Sequence, residues 1–407
     1  MNRVPLSDVC DYSEASTSVD GLTLNNFIST DNMLQNRGGI VDAVNLPPAV
    51  SCCRFEKDDI LLSNIRPYFK KIWYANFDGG CSNDVLVLKC KNQKFHPKYV
   101  YYSLFQDLFF KHMMNGAKGS KMPRGDQDQI MTFRIPEFEK PYQEKIAEYL
   151  SLLDKKIELN NSINSELEEM AKTIYNYWFV QFDFPNQEGK PYKTSGGEME
   201  YNEELKREIP VGWEVGTFNS VAEIIGGSTP STAIEENFTE DGVAWITPKD
   251  LAMSAGKKFI TKGETDVSEL GLKSASLTIM SKGTVLLSSR APIGYVAISR
   301  NDVTTNQGFK SFVPKEGYSS IFIFYLVQTY IPAFIQQGSG STFKEIPKST
   351  LEEIKIYIPQ KPLVKFLTEK LKPIFDKQNN LELQNQELIH LRDFLLPLLM
   401  NGQVRVK

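Results

Sequence analysis

The spacing of apolar residues predicts a long helix from Pro141 to Trp178, a stretch that is rich in Leu, Ile, Glu and Lys. Steps of four and three residues define one stripe along it, a heptad repeat typical of a coiled coil. The stripe consists of Ile146, Leu150, Leu153, Ile157, Asn160, Asn164, Leu167, Ala171, Ile174 and Trp178. At the rise of an α-helix this stretch is roughly 55 Å long. Asn160 and Asn164 are polar interruptions, which in a coiled coil select the register and the partner helix.

A second stripe of the same kind predicts the partner helix at the end of the sequence. It consists of Val364, Leu367, Leu371, Ile374, Gln378, Leu381, Asn385, Leu388, Arg392, Leu395 and Leu399. Gln378 and Asn385 are the polar residues near its centre. For either helix taken alone, the apolar stripe is also explained by packing of the helix on its own domain. Their matched lengths and polar centres favour an intramolecular antiparallel pair, which requires a compact intervening domain with adjacent ends.

The chain is an imperfect tandem repeat with a period near 220 residues. ILLSNIRPY from Ile60 matches VLLSSRAPI from Val285, and NSEL at Asn164 matches NQEL at Asn385. Such a period is far too long for a solenoid and indicates two copies of one unit. We therefore predict a first mixed domain at 1–140, a helix at 141–183, a linker and second domain at 184–362, and a helix at 363–407.

Within each domain, short β-rich runs precede a helix, without the regular strand–helix alternation of a doubly wound sheet. This pattern predicts an α+β fold with two mixed domains. In the first domain the predicted strands are 50–55, 60–63, 71–76 and 84–89, followed by one helix at 99–112. The proline and glycine content of 184–210 predicts a linker.

The net charge by itself argues weakly against a nucleic-acid partner, because 46 basic and 50 acidic residues leave a net charge of −4. Its distribution is more informative. The segment 108–125 carries four cations and no carboxylate, whereas the first long helix is acidic and suits a protein partner. Five cysteines without a CxxC pair favour reduced thiols. The N-terminus is unlike a signal peptide and the apolar run from Ile321 is interrupted, so a cytoplasmic protein is expected.

No motif for catalysis is recognisable. The sequence contains no phosphate-binding loop, no GxGxxG, no HExxH, no GxSxG and no methyltransferase tetrad. The three histidines, His96, His112 and His390, lack the spacing of metal ligands. We predict no catalytic residue, no metal and no cofactor bound by this chain.

Loops with small, polar and basic residues recur at matching places in the two units, which favours DNA contacts. Arginine reads guanine, asparagine and glutamine read adenine, and lysine, serine and backbone N–H groups hold phosphate. Each loop alone is equally well explained as an ordinary turn. The candidates are Asn64, Arg66, Lys118, Ser120, Lys121 and Arg124 in the first unit, and Ser228, Thr229, Ser289, Arg290, Asn306, Gln307, Ser341 and Lys344 in the second.

Two correspondences lead to specific expectations. Arg290 follows a strand and corresponds roughly to Arg66, so we expect it to read a base; the alternative is an ion pair with a carboxylate of its own domain. Lys344 and Lys121 lie in matched glycine-containing loops, where holding a phosphate is the expected role.

Several stretches together resemble the specificity subunit of type I restriction–modification systems, over essentially the whole chain. They are ISTDNML from Ile28, YWFVQFDFP from Tyr177, GKPYKTSGGEMEYNEELKREIPVGWEVG from Gly189, WITPKDL from Trp245, LLSSRAPIGYVAI from Leu286, TNQGFKS from Thr305 and LRDFLLPLLMNGQVRV from Leu391. The resemblance implies two target-recognition domains, each followed by a spacer helix, with the helices paired antiparallel. It implies a non-catalytic subunit that reads a split asymmetric DNA site. The implied partners are two methyltransferase subunits, which hold S-adenosylmethionine, and restriction subunits, which use ATP and Mg²⁺.

Two other functions are compatible with parts of the sequence. The first alternative is the target-recognition part of a single-chain restriction–methylation enzyme. The second is a coiled-coil scaffold without a DNA role. The two complete units argue against the first, and the polar loops are unexplained by the second.

Overall fold

The structure is a computed structural model that describes residues 2–119, 121–254, 256–338 and 344–406. It divides into two compact units. Unit 1 comprises Met1–Glu158 and Gln386–Lys407, and unit 2 comprises Leu159–Asn385. Within the described ranges, no helix combines the length and the apolar character needed to cross a membrane.

Over its described residues, unit 1 contains ten strands, three short α-helices, three short 3₁₀ helices, the beginning of one long α-helix and the end of another. The strands are β1 (Arg3–Pro5), β2 (Cys10–Tyr12), β3 (Ser16–Ser18), β4 (Phe27–Ile28), β5 (Ser51–Phe55), β6 (Ile60–Ser63), β7 (Ile72–Tyr74), β8 (Gly79–Cys81), β9 (Val85–Cys90) and β10 (Arg134–Pro136). The α-helices are α1 (Pro97–Leu104), α2 (Asp107–Asn115), α3 (Gln127–Met131) and α4 (Lys140–Tyr175). The sheets have the orders β1-β10, β2-β9-β6-β7 and β3-β5-β8-β4.

The main core of unit 1 lies between α1, α2 and the long helices. Tyr99 and Phe105 pack there with Ile146 and Leu150 of α4, and all four are at most 1% exposed. Leu399, near the C-terminus, joins the same cluster. Burying large side chains of this kind stabilises a fold by about 1.5–3 kcal/mol each.

Unit 2 repeats this plan with more strands. They are β11 (Met199–Asn202), β12 (Arg207–Pro210), β13 (Glu214–Thr217), β14 (Ala222–Gly226), β15 (Phe238–Thr239), β16 (Val243–Ile246), β17 (Phe259–Ile260), β18 (Thr265–Val267), β19 (Val285–Ser289), β20 (Ile293–Ser299), β21 (Val303–Thr305), β22 (Phe309–Pro314) and β23 (Lys355–Ile358). The helices are α5 (Phe218–Val221), α6 (Pro248–Met253), α7 (Glu269–Ser274), α8 (Ser320–Gln337), α9 (Lys348–Glu353) and α10 (Lys361–Met400).

The sheets of unit 2 have the orders β14-β22-β19-β20-β17, β15-β18-β16-β21, β13-β23 and β11-β12. Helix α8 supplies the centre of the core. Its Phe322 and Tyr325 pack with Tyr175 of α4 and with Leu367 and Leu371 of α10. The apolar run of α8 is therefore the buried helix of a mixed domain.

One local prediction was wrong, and one segment has more structure than its composition predicted. The predicted helix at 99–112 is two helices, because Gln106 takes an extended conformation (φ −70°, ψ 150°) that starts a new helix at Asp107. The segment 184–210, predicted as a linker, contains the β11–β12 hairpin, in which Met199 pairs with Pro210 and Asn202 with Arg207.

The two long helices form an antiparallel pair, as predicted. Every residue of both heptad stripes is buried or half-buried. In unit 1, the Tyr142 hydroxyl of α4 donates to the Val404 carbonyl, whereas Asp154 is 2.8 Å from Arg392 of α10. Partner numbers fall as residue numbers rise, and the same order holds in unit 2. The α+β class with two tandem mixed domains and two long helices is thereby confirmed.

The polar residues of the stripes contact one another in unit 2. Asn160 donates to Asn385 Oδ1 at 2.8 Å, and Asn385 donates to Asn161 Oδ1 at 2.7 Å. Gln378 donates to the Asn164 carbonyl at 3.2 Å. Directional bonds of this kind are satisfied in one alignment of the helices only. That Asn160, Asn164, Gln378 and Asn385 select the register remains a prediction.

Candidate nucleic-acid interface

One edge of the large sheet in unit 2 gathers six of the eight candidate residues of that unit. Strands β14 and β19 are both antiparallel to β22, which lies between them. Gly226 pairs with Lys310, and Ser288 pairs with Phe309. The loops after β14 and β19 therefore meet the loop before β22. These three loops carry Ser228, Thr229, Arg290, Asn306 and Gln307, and Ser289 is the last residue of β19.

Hydrogen bonds join the first and third of these loops. The Ser228 N–H donates to the Thr305 carbonyl at 3.0 Å, and the Thr229 hydroxyl donates to the Gln307 side-chain oxygen. Thr229 and Gln307 are exposed, so this pair is open to a ligand. The Asn306 side chain is half-buried and accepts from the Gly308 N–H at 2.9 Å. Its oxygen is thus already engaged in shaping the loop.

Arg290 contacts a carboxylate of its own unit. It forms an antiparallel bridge with Glu345, and its Nη1 lies 3.6 Å from Glu345 Oε2. Lys310 Nζ approaches the other oxygen of Glu345 at 3.3 Å. The side chains of Arg290 and Glu345 are 34% and 36% exposed. This is the contact that the alternative interpretation of Arg290 expects, but a long and partly solvated pair contributes about 0–1 kcal/mol and can give way to a ligand. The base-reading role of Arg290 remains a prediction.

The remaining candidates of unit 2 differ in accessibility. Ser289 is fully buried, and its hydroxyl has no hydrogen-bond partner among the described residues. Lys344 is exposed beside the bridge residue Glu345. Ser341, and Ser120 of unit 1, lie outside the described residues.

Unit 1 brings its candidates together in an equivalent way at the end of β6. The Asn64 N–H donates to the Asp84 carbonyl at 2.8 Å, and the Arg66 N–H donates to the Pro123 carbonyl at 2.8 Å. Lys118 and Arg124 exchange two backbone hydrogen bonds of 2.9 Å. A strand-end loop and a basic loop are thus held side by side, with the exposed Lys121 in the second.

The charges of this unit 1 cluster are partly balanced by nearby carboxylates. Lys118 Nζ lies 2.6 Å from Asp126, and Arg124 lies 3.0 Å from Asp84. The hydrogen bond from Lys118 lowers the pKa of the Asp126 carboxyl. Because the Lys118 and Arg124 side chains are 81% and 56% exposed, these are weak surface pairs. Both cations can exchange their carboxylate for a phosphate at little cost.

Two polar groups of the cluster are buried without a partner among the described residues. They are the Asn64 side-chain oxygen and the Arg66 Nε. Arg66 also has left-handed backbone angles (φ 49°, ψ 65°), which are uncommon for a residue with a side chain. Strained backbone and unsatisfied polar groups concentrate at functional sites.

The equivalence between the units differs from the one expected from sequence. Ile65 bridges Arg124 in unit 1, just as Arg290 bridges Glu345 in unit 2. The Gly125 N–H donates to Asn64, and the Ile346 N–H donates likewise to Ser289. Arg290 therefore occupies the place of Ile65 and not of Arg66. Since Glu345 occupies the place of Arg124, Lys344 corresponds to Pro123 and not to Lys121.

Sequence reasoning missed Glu345, which pairs with Arg290, and Lys310, which pairs with the same carboxylate. The available signal was adjacency, since Glu345 follows Lys344 and Lys310 lies two residues after Gly308. The bridge position carries opposite charges in the two units, Arg124 in one and Glu345 in the other.

The model of the type I restriction modification DNA specificity domain matches residues 2–169 and 210–390. The chain belongs to this family. The two matched segments contain the two loop clusters, at 63–66 and 118–125 in one and at 226–230, 289–290 and 305–308 in the other.

Curated relatives agree with this assignment. The chain is 46% identical to the type I restriction enzyme MjaIX specificity subunit of Methanocaldococcus jannaschii, over 40% of this chain and 38% of that protein. The match thus spans less than half of that relative. It is 25% identical to the type I restriction enzyme HindI specificity subunit of Haemophilus influenzae, over 93% of this chain and 94% of that one.

A solved structure has a similar fold. The S subunit of a type I restriction–modification system from M. genitalium superposes with a TM-score of 0.58 and 14% identity, over 98% of this chain and 95% of that one. At this identity the comparison supports the fold alone.

Proposed function

We propose that this chain is the DNA-reading subunit of a type I restriction–modification complex and carries out no catalysis itself. Each mixed domain reads one half of a bipartite site. The observation that carries the proposal is the pair of loop clusters, one in each unit, built on the same strand-end topology from different residues. Because Ile65 and Arg124 in unit 1 replace Arg290 and Glu345 in unit 2, the two half-sites differ.

The partners of the chain are inferred from the surface that its long helices expose. S-adenosylmethionine, ATP and Mg²⁺ belong to methyltransferase and restriction subunits, and two methyltransferase subunits dock on the helix pair. In support, the long helices expose large apolar side chains: Leu152 (57%), Leu159 (53%), Met170 (55%) and Phe394 (60%). Exposed apolar side chains beside acidic ones are typical of a protein-binding surface.

An exchange of domains tests the proposal. Replacing residues 1–140 by the corresponding segment of a relative with a different target should change one half-site of the methylated sequence and leave the other intact. The measurement is a map of methylated adenines in cells that express the chain with its methyltransferase subunits. The unchanged chain serves as the control, and a simultaneous change of both half-sites would refute a model with two independent readers.

The assignment of single residues has its own test. In the assembled methyltransferase, Arg290→Ala should weaken binding to cognate DNA by about 1–3 kcal/mol, roughly 5- to 150-fold, and leave non-specific binding nearly unchanged. Lys344→Ala should instead weaken both and reduce the salt dependence by about one ion. DNA-binding titrations at several salt concentrations distinguish the effects of these two substitutions. Equal loss for cognate and random DNA with Arg290→Ala would assign this residue to the fold or to the phosphates.

A further inference from the structure

A carboxylate of helix α10 binds the backbone of the recognition domain inside unit 2. Glu382 Oε1 accepts from the Lys258 N–H at 2.7 Å, and its Oε2 accepts from the Phe259 N–H at 3.3 Å. Glu382 is only 5% exposed. Phe259 is the first residue of β17, the edge strand of the large sheet, and Lys258 directly precedes it. One side chain of the helix thus attaches to the sheet that carries the candidate reading loops.

Arg300, directly after β20, makes a second attachment. Its Nη2 lies 2.6 Å from Glu382 Oε2, and its Nε donates to Asn379 Oδ1 at 2.6 Å. A further donor of the same guanidinium reaches the Phe259 carbonyl at 3.3 Å. The same nitrogen also lies 3.3 Å from Thr261 Oγ1. The Arg300 side chain is 9% exposed. A planar guanidinium with four partners permits only a narrow range of orientations.

Lys258 makes the third attachment, at a site enclosed by aromatic rings. Its ammonium pairs with Glu168 of α4, donates to Gln378 of α10 at 2.7 Å, and lies 3.7 Å from the centroid of the Phe375 ring. Burial lowers the pKa of Lys258 to about 8, against the opposing effect of Glu168. Lys258 therefore links the sheet edge to both long helices.

These attachments are directional and contribute little net stability. A buried ion pair is often no more stabilising than apolar residues of the same size, whereas its hydrogen bonds are satisfied in one geometry only. In unit 1, a buried cation of the helix contacts the domain, because Arg392 of α10 lies over the Phe105 ring. In unit 2 the buried cations Lys258 and Arg300 belong to the domain and contact the long helices.

We infer that Lys258, Arg300 and Glu382 are positioning residues that hold the second recognition domain at one angle on its stretch of helix, so that methylation depends sharply on the number of base pairs between the half-sites. The inference rests on the proposed function. One base pair changes the separation of two half-sites by about 3.4 Å and their rotation by about 35°. A domain held at one angle rejects such a displacement, and a loosened domain accommodates it.

The test is the methylation rate of the assembled complex on duplexes with the cognate half-sites at the cognate spacing and at one base pair more or less. Glu382→Gln and Arg300→Met should each raise the relative rate at the wrong spacings by about tenfold, the effect of losing one charge-assisted hydrogen bond. Discrimination against single-base changes within either half-site should stay as in the wild type. Glu369→Gln, at an exposed position of the same helix, is the matched control.

The readout separates positioning from stability. A merely destabilised domain lowers the rate at every spacing by the same factor and leaves the ratio unchanged, which would overturn the inference. So would a changed base preference with an unchanged spacing profile. If Glu382→Gln or Arg300→Met fails to assemble, Asn379→Ala is the substitute, because it removes only the contact of Arg300 Nε. An unchanged ratio of rates with Asn379→Ala would count equally against the inference. If the wild-type complex methylates no spacing at all, the proposed function fails and not the positioning role.

Discussion

Replacing Arg392 by alanine should lower the free energy of unfolding of unit 1 by about 3–5 kcal/mol, the usual effect of removing one partner of a buried ion pair. Arg392 lies 2.8 Å from Asp154 and 3.0 Å from Asp393, and its side chain is 7% exposed. The guanidinium also lies over the Phe105 ring, 4.6 Å from its centroid. The substitution would leave the Asp154 carboxylate with the Tyr102 hydroxyl as its remaining partner in this cluster.

Urea denaturation of the chain is the measurement, with Lys372→Ala as the matched control. Lys372 and Asp376 form a pair of 2.6 Å on the same helix, but both side chains are at least 60% exposed. Its loss should cost about 0.5 kcal/mol or less. The double substitution Arg392→Met with Asp154→Leu should recover most of the stability, because an apolar pair replaces a buried ionic one well. Equal losses for Arg392→Ala and Lys372→Ala would contradict this explanation.

Replacing Gly227 by alanine should destabilise unit 2 by about 1–3 kcal/mol and abolish recognition of one half-site. A Cβ atom at this position would lie 2.0 Å from the Asn306 carbonyl oxygen and 2.4 Å from that of Thr305. Both are backbone atoms, so the loops after β14 and before β22 would have to separate. Their separation breaks the Ser228–Thr305 hydrogen bond that holds the candidate reading edge together.

The neighbouring Gly226 provides the control, because a Cβ atom there would meet nothing within 4 Å. Gly226→Ala should therefore methylate the cognate site at the wild-type rate. With Gly227→Ala, methylation of cognate DNA should fall to the rate for DNA altered in the half-site that the second domain reads. Intact discrimination of both half-sites by this variant would show that the close approach of the loops has no part in recognition.

Some of the fold is predictable from the sequence because it depends on local periodicity. The heptad steps of 3.5 residues identify the buried stripe of each long helix without reference to the rest of the chain. Strands such as β6 and β19 were recognisable because similar residues recur in both copies of the repeated unit. The break at Gln106 and the β11–β12 hairpin escaped prediction, since a helix start and a strand pairing there depend on contacts with neighbouring segments.

The candidate site was predictable only as a set of loops. Small, polar and basic residues at matching places pointed to the two clusters, and the structure brings Asn64, Arg66, Lys118 and Arg124 together in one of them. The sequence did not show which of the cations form ion pairs with carboxylates of the same unit. Arg290 and Glu345 are far apart in sequence and meet only because the bridge beside β19 sets their register.

The sequence by itself determined the duplication and the two long helices, because each follows from a repeat or a period along the chain. It favoured antiparallel pairing of the helices, which the structure then showed. Only the tertiary structure decided that Arg290 shares Glu345 with Lys310, that it corresponds to Ile65, and that Glu382 holds the backbone of Lys258 and Phe259. Ion pairs and side-chain-to-backbone bonds join residues that no local pattern relates. Their partners are selected by strand register and helix packing, which exist only once the chain has folded.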